Sequence, residues 1–429
     1  MSAQYSVNIK SQYYDPNTHV NNKMSEFRLD RDSVFLPNLR LQFGFFTDAA
    51  TGVNKILGYE ACIKHIRLMD GGVELDSLRF ANRYLSFYNQ TGDNQKQLCI
   101  DSPLNNSSVG YLLNSGDKVD YITADSQTAI SESEVQCALL DLRKVFPLLN
   151  SIDHLDTSIF KQLKIQIEYE NNSTNLGLAD KSKIATINRP VLIADVVVNE
   201  QVSAKMRSSA QKNVIWDVIE HDQMTIADHV TVTDALTGAA SATQSTSAVI
   251  NGFDNKYVGK MVVMKCYADP LVGYSTNAIK GYGPYNSPLY PEESLNIRKN
   301  GQFIFSGADG IKNNGLRNQM LWQTWGNVNV VPFGCQNSVG MEDFDAAAQN
   351  TSGVPTLTAT KQSDRVGQAS FYGFTVEDRC NQLQFTFTRN GYKDTQENNP
   401  YNAGADLHIF GECRKQMVFS SNKYNISYM

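Results

Sequence analysis

Residues 163–169 read Leu163-Lys164-Ile165-Gln166-Ile167-Glu168-Tyr169, with apolar side chains at every odd position and polar ones between. Successive side chains of an extended chain point to opposite faces, so strict alternation predicts a strand that covers a core on one side. Its other side meets water or a partner. The pattern returns in Leu383-Gln384-Phe385-Thr386-Phe387-Thr388. Around these two stretches, runs rich in β-branched and aromatic residues at 34–46, 63–69, 119–123, 191–198, 214–219, 259–267, 302–305, 407–411 and 424–428 are separated by Asn, Gly, Ser and Asp clusters. They predict further strands and turns. Helical spacing is confined to 74–87, with Leu75, Leu78, Tyr84 and Leu85, and to 315–325, with Leu316, Met320 and Trp322. The chain therefore reads as all-β, with short helices in the connections between strands.

The two helical stretches share a context. IKHIRLMDGGVEL precedes the first and ESLNIRKNGQFIF the second. LLDLRKVFPLL and FKQLKIQIEYE pair with FYGFTVEDRCNQLQFTFTRNG, and RPVLIADVVV pairs with ADLHIFGECRK. These pairs keep the same order along the chain, which predicts an internal duplication. The boundary falls in polar residues near 200–212. The expected division is an N-terminal arm at 1–30, a first sandwich at 31–205 and a second at 206–429.

The length of 429 residues suits two large β sandwiches, since such units run to about 200–250 residues each. Charged residues make up 19% of the chain, below the roughly 25% usual for soluble proteins. The 20 Tyr and 20 Phe supply abundant rings. Coiled coils and solvated disordered chains need more charge and fewer rings, so both are excluded. The net charge is −6. Lys10, Lys23 and Arg28 are cancelled by Asp15, Glu26 and Asp30, and no basic stripe replaces counterions on phosphates. Direct nucleic-acid binding is not expected.

The 7 cysteines, Cys62, Cys99, Cys137, Cys266, Cys335, Cys380 and Cys413, are scattered and never spaced C-x-x-C, so they read as buried reduced thiols. The polar opening MSAQYSVNIKSQYYDPNTH lacks the charged and apolar regions of a secretory signal, and no apolar run of about 18 residues is long enough to span a bilayer. A protein folded inside a cell, with no transmembrane segment, is expected.

A search for chemistry returns little. The 6 histidines form neither H-x-E nor H-E-x-x-H. Glu220, His221, Asp222 and His229 are the nearest approach to a metal cluster, but their spacing fits no zinc template. Gly281-Tyr282-Gly283 is followed by Pro284 and lacks the strand and helix that a phosphate cradle requires. Glu168 and Glu170 lie on one face of a strand, which suits solvation better than paired acid and base. No catalytic residue, cofactor site or metal site is assigned, and an enzyme is not expected. Low charge, many rings and long connections instead suit a subunit that buries much of its outside against other subunits.

Particular strings then carry a resemblance. Val34-Phe35-Leu36-Pro37-Asn38-Leu39-Arg40-Leu41 and Ile66-Arg67-Leu68-Met69-Asp70-Gly71-Gly72 resemble the opening of a viral family, as do Leu75, Leu78 and Arg79. Leu140-Asp141-Leu142-Arg143, Phe146-Pro147-Leu148-Leu149, residues 158–165, Ile167-Glu168-Tyr169-Glu170 and Arg189-Pro190-Val191-Leu192 continue it. Asn300-Gly301, Trp325-Gly326, Phe410-Gly411-Glu412 and Tyr424-Asn425-Ile426-Ser427-Tyr428 are similar but looser. The family is the double jelly-roll major capsid proteins of polinton-like viruses, adintoviruses and virophages. The chain is short for it, and residues 233–248 have no evident counterpart.

The resemblance implies two consecutive eight-stranded jelly rolls and a homotrimeric capsomer of pseudohexameric outline that tiles an icosahedral virion shell. Its implied partners are neighbouring capsomers and the penton and minor capsid proteins, and the shell would be assembled inside the host cell. The alternatives are a carbohydrate-binding attachment protein, which needs an aromatic platform or clustered Asp, and a minor capsid protein. On this reading Pro37 lies at a strand edge or bulge, Trp216, Trp322 and Trp325 anchor the core or dock helices, and residues 1–30 run beneath the capsomer to bridge neighbours. Residues 233–248 and 273–294 are expected as loops at the outer surface or between trimers.

Overall fold

In a computed structural model of the chain the described residues are 8–47, 58–88, 138–172, 175–176, 184–209, 213–227, 243–267, 293–305, 310–311, 314–326, 371–390, 404–420 and 423–429. The alternating stretch at 163–169 is a strand with Leu163, Ile165, Ile167 and Tyr169 buried and the residues between them half-exposed. It lies at the middle of a sheet.

The elements of the first half are β1 (Ile9–Tyr14), β2 (Thr18–Val20), β3 (Met24–Arg28), β4 (Val34–Phe35), β5 (Arg40–Phe43), β6 (Phe45–Thr47), β7 (Ile63–Asp70), β8 (Val73–Arg79), α1 (Ala81–Tyr88), β9 (Ala138–Asp141), β10 (Leu155–Asp156), β11 (Leu163–Tyr169), β12 (Ala185–Ile187) and β13 (Val191–Val197). One sheet has the order β2-β3-β11-β7-β8. The facing sheet is built on β13, with β1 along one edge and β4 and β5 along the other, followed by β10 and β9. A short ladder joins β6 to β12.

The helix α2 (Glu200–Ser208), capped by the Asn199 side chain on the Gln201 and Val202 N–H groups, leads to the second half. There the elements are β14 (Asn213–Ile226), β15 (Thr243–Ile250), β16 (Lys256–Tyr267), β17 (Ser294–Lys299), β18 (Gln302–Phe303), α3 (Asn314–Trp325), β19 (Phe371–Cys380), β20 (Leu383–Asn390), β21 (Ala405–Ser420) and β22 (Lys423–Tyr428). Their sheets have the orders β14-β21-β16-β19 and β15-β20-β17-β18, with β22 folded back on β21.

The two halves correspond strand for strand. The order β3-β11-β7-β8 in the first matches β15-β20-β17-β18 in the second, and β1-β13-β5-β9 matches β14-β21-β16-β19. Helix α1 follows β8 as α3 follows β18. Each half packs a sheet drawn from alternate parts of the chain against another, the jelly-roll arrangement, so the fold is a double jelly roll. No strand pairs across the two sets among the described residues. Their buried apolar side chains nevertheless form one contiguous cluster that includes Phe27, Leu41 and Ile165 as well as Val262, Phe385 and Ile409.

Several expectations need correction. Residues 9–28 are no arm: β1 pairs with β13 from Ile9 to Tyr14, β3 pairs with β11, and Phe27 is fully buried. These strands hold the places that β14 and β15 hold in the second half. Residues 1–7 lie outside the described residues. The helix expected at 74–87 begins only at Ala81, because Val73–Arg79 is the strand β8 paired with β7. Residues 243–248, expected within a loop, belong to β15 and pair with β20 through Ser245–Thr388 and Ser247–Thr386 hydroxyl contacts of 2.9 and 2.8 Å. The rest of that loop, residues 273–292 and the strand expected at 119–123 lie outside the described residues.

Pro37 interrupts a strand rather than ending one. β4 and β5 line the same edge of β13, and residues 36–39 between them form no ladder. Asp195 of β13 closes this break by accepting hydrogen bonds from Asn38 Nδ2 at 2.6 Å, from Arg40 Nη2 at 3.0 Å and from the Ser11 hydroxyl.

Candidate functional site at the seam of the two sandwiches

The first jelly roll meets the second where β8 and the turn at Pro147–Asn150 lie against β14. β8 is buried over Leu75, Asp76, Ser77 and Leu78 in succession, which no water-facing strand would show. Asp76 sits fully buried in the middle of the seam, accepting from the Leu148 N–H at 2.8 Å and the Ser77 N–H at 2.9 Å. Burial pushes its carboxyl up to about 7, against the pull of the Leu148 N–H and the nearby Lys415.

At the β7–β8 turn the chain's last strand reaches back. Tyr424 donates its hydroxyl to Asp70 Oδ2 at 2.6 Å and packs on Phe160 with ring centroids 5.3 Å apart. Asp70 also accepts the Gln162 N–H at 2.8 Å. A small apolar cleft opens beside this contact, lined by Leu148, Ile159 and Phe160 from the first half and Val214, Met417 and Phe419 from the second. The hydroxyl of Tyr428, four residues on, donates to Glu220, which also pairs with Lys256 at 3.3 Å.

Beyond β8 the chain turns through Phe80, whose φ of 51° is a left-handed value rare for a bulky side chain. The Phe80 N–H donates to His65 Nδ1 at 2.9 Å, and its ring lies 5.0 Å from His65, 4.6 Å from His221 and 5.0 Å from His408. His221 Nε2 and His408 Nδ1 share one hydrogen bond of 2.9 Å. Burial holds all three imidazoles below their ordinary range, His221 to about 3, with the charges of His65, Arg79 and Arg83 adding to the shift at His221.

Helix α1 then enters the seam and is buried from Ala81 to Phe87. Tyr84 packs on Phe410 at 5.4 Å, and Phe87 sits edge-on to Trp325 at 5.1 Å and Phe371 at 4.9 Å.

The residues weighed as catalytic or metal-binding do not converge. Asp222 accepts the Gly252 N–H at 2.8 Å and the Gln223 N–H at 2.8 Å, while Glu220 and His221 are engaged as above. His229 and residues 281–284 lie outside the described residues. Among the described residues there is no group of three or more His, Cys, Asp or Glu side chains arranged to hold a metal. Glu168 pairs with Lys64 at 3.6 Å, and Glu170, buried, accepts from Asn175 at 3.1 Å. Cys62, Cys266, Cys380 and Cys413 are buried free thiols, and the other three cysteines lie outside the described residues. No helix among the described residues is long and apolar enough to cross a membrane.

Trp216 is buried in the core, and Trp325 docks α3 by donating Nε1–H to the Met261 carbonyl at 3.2 Å. Trp322 departs from its expected role as an anchor: it is 60% exposed on the outer face of α3. Tyr13, on the edge strand β1, is 68% exposed, with Ile9 and Val198 exposed beside it. Period-two reading of β1 would have found this face, but its polar Lys10, Ser11 and Gln12 hid the strand.

No protein-family model and no curated protein matches the sequence. Solved structures share the fold. VP54 of PBCV-1, in a crystal structure fitted into a cryo-EM reconstruction of the virophage Sputnik, is 12% identical with a TM-score of 0.55, over 98% of this chain and 96% of that one. The mavirus major capsid protein is 11% identical with a TM-score of 0.55, over 97% of this chain and 90% of that one. The cryo-EM structure of the Sputnik virophage contains a chain 11% identical with a TM-score of 0.55, over 98% and 88%.

Proposed function

We propose that this chain is the major capsid protein of an icosahedral virion, and that it acts as a structural subunit rather than an enzyme. The observation that carries the reading is the joining of two equivalent jelly rolls side by side in one polypeptide through a continuous core. A rigid pair of like units supplies two corners of a hexagon, so three copies about a threefold axis make a pseudohexameric capsomer that tiles a shell. Similarity over nearly the whole length to the mavirus major capsid protein supports the same role.

On this reading the chain divides into two units on either side of α2. Its partners are two further copies, neighbouring capsomers, and penton and minor capsid proteins, and its place is the virion shell. Exposed apolar side chains such as Tyr13 on β1 and Trp322 on α3 suit covered faces better than free ones.

Solution mass tests the proposal. The chain expressed alone is expected at three times its 47.8 kDa, with a hexagonal outline by negative-stain microscopy. A stable monomer that binds glycans would overturn it in favour of an attachment protein.

A further inference from the structure

The histidines at the seam have a use that shell building does not require. His65 lies on β7 of the first jelly roll, while His221 on β14 and His408 on β21 belong to the second, and Phe80 is the ring between them. Three imidazoles from two units around one apolar ring form a contact that holds only while they are neutral. His221 and His408 share a single proton along their 2.9 Å contact, and a second proton there would set two N–H groups face to face. His65 needs an unprotonated Nδ1 to accept the Phe80 N–H, and that bond secures the left-handed turn.

Around the cluster, positive charge outweighs the relief that Glu168 gives His65, whose imidazole stays below its ordinary range. Arg67 on β7 and Arg79 on β8 line the groove at the mouth of the cluster, and Arg83 on α1 adds further positive potential. The nearby carboxylates already have donors. Glu168 on β11 takes Lys64, Glu220 takes Lys256 and the Tyr428 hydroxyl, Asp222 takes two backbone N–H groups, and Asp406 takes the Thr225 hydroxyl at 2.7 Å.

We propose that His65, His221 and His408 form an acid-sensitive latch, and that protons taken up by these rings part the first jelly roll from the second at the Phe80 end of the seam. The direction follows from linkage. An imidazole freed by opening titrates near its ordinary value of about 6.5, whereas in the closed seam burial holds His65 below that value and His221 and His408 well below it. Between the two values the open form binds more protons, so closure weakens as pH falls through about 6.5 and keeps weakening toward the closed-state value. Asp76, farther along the seam, has the opposite sign because it holds a proton when buried, as does Glu412, whose carboxyl burial also raises. The opening is therefore local to the three rings. The inference concerns contacts within one chain and does not depend on the capsid reading.

Hydrogen exchange of the full-length protein, followed by mass spectrometry from pH 7.5 to 4.5 and corrected for intrinsic rates, tests it. Peptides of α1 and of β14 around His221 are expected to lose protection below pH 6.5, by up to about tenfold per pH unit for each ring protonated. Peptides of β11 and β16 should keep theirs. The double variant His221→Asn with His408→Gln, which keeps polar groups that do not titrate, should flatten the step. His65→Gln alone should reduce it, and serves if the double variant does not fold. The proposal is overturned if the wild-type seam keeps its protection at pH 4.5, if β11 and β16 open together with it, or if the folded variants retain the full step.

Discussion

The hydroxyl of Tyr424 donates to Asp70 across 354 residues of sequence and joins the chain's last strand to the β7–β8 turn of the first jelly roll. The bond ends on a carboxylate that also receives the Gln162 N–H, so one acidic side chain ties the turn, the lead into β11 and the second half together. Tyr424→Phe keeps the ring on Phe160 and removes only the donor. A hydrogen bond to a charged group contributes about 1.5–3 kcal/mol, and urea unfolding of the variant should show a loss of that size. An unchanged midpoint would mean that the contact holds nothing.

Asp76 should reveal itself through pH. Its carboxyl is held near 7 in the folded chain, while an exposed Asp titrates near about 3.9. Between those values the folded state holds the extra proton, so this group's contribution to stability declines as pH rises. Asp76→Asn removes the decline, although it disturbs the bonds from Leu148 and Ser77. The difference in unfolding free energy between variant and wild type is expected to move in the variant's favour from pH 5 to pH 8. A constant difference would show that the group does not titrate in this range.

Lys265 and Glu293, both buried, pair at 2.6 Å in the second jelly roll, with burial lowering the lysine and Glu293 opposing that shift. Glu293→Gln leaves an ammonium in the interior and should cost about 3–5 kcal/mol. Lys265→Met combined with Glu293→Gln removes both charges and should recover part of that loss. A double-mutant cycle by denaturant titration reads the coupling, and simple additivity would show that the two side chains act independently.

Gly373 on β19 lets α3 approach closely. A methyl group there would stand 3.1 Å from the Leu321 Cα, 3.0 Å from Trp325 Cδ1 and in collision with Leu321 Cδ1. Gly373→Ala should cost about 1–3 kcal/mol through overpacking. It should also loosen the Phe87 contact with Trp325, which near-ultraviolet circular dichroism and a lowered melting temperature would report. A variant as stable as wild type would place α3 farther from β19.

Much of this architecture was legible because β11 and β20 each bury one face and wet the other, so their sequences alternate cleanly. The repeated order of segments reflects a real strand-for-strand correspondence. What escaped did so for physical reasons. β8 is buried over Asp76 and Ser77 as well as over Leu75 and Leu78, since the second jelly roll covers the face that would otherwise meet water. Its alternation vanishes, and with Tyr84 and Leu85 following, the run imitates a helix. β1 fails in the opposite way: it is an edge strand exposed along most of its length, and polar Lys10, Ser11 and Gln12 between Ile9 and Tyr13 mask its alternation. β15 offers Ser and Thr that pair through hydroxyls, so its composition suggested a loop. The histidines of the seam lie 156 and 187 residues apart in successive steps, beyond the reach of any motif.

Phe87, held between Trp325 and Phe371, ties the end of α1 in the first half to α3 and β19 in the second. This aromatic junction follows β8, whereas the bond from Tyr424 to Asp70 precedes it, so the seam is fastened on both sides of that strand. A load on either sandwich is therefore passed to the other at two separated points, one a cluster of rings and the other a single hydroxyl.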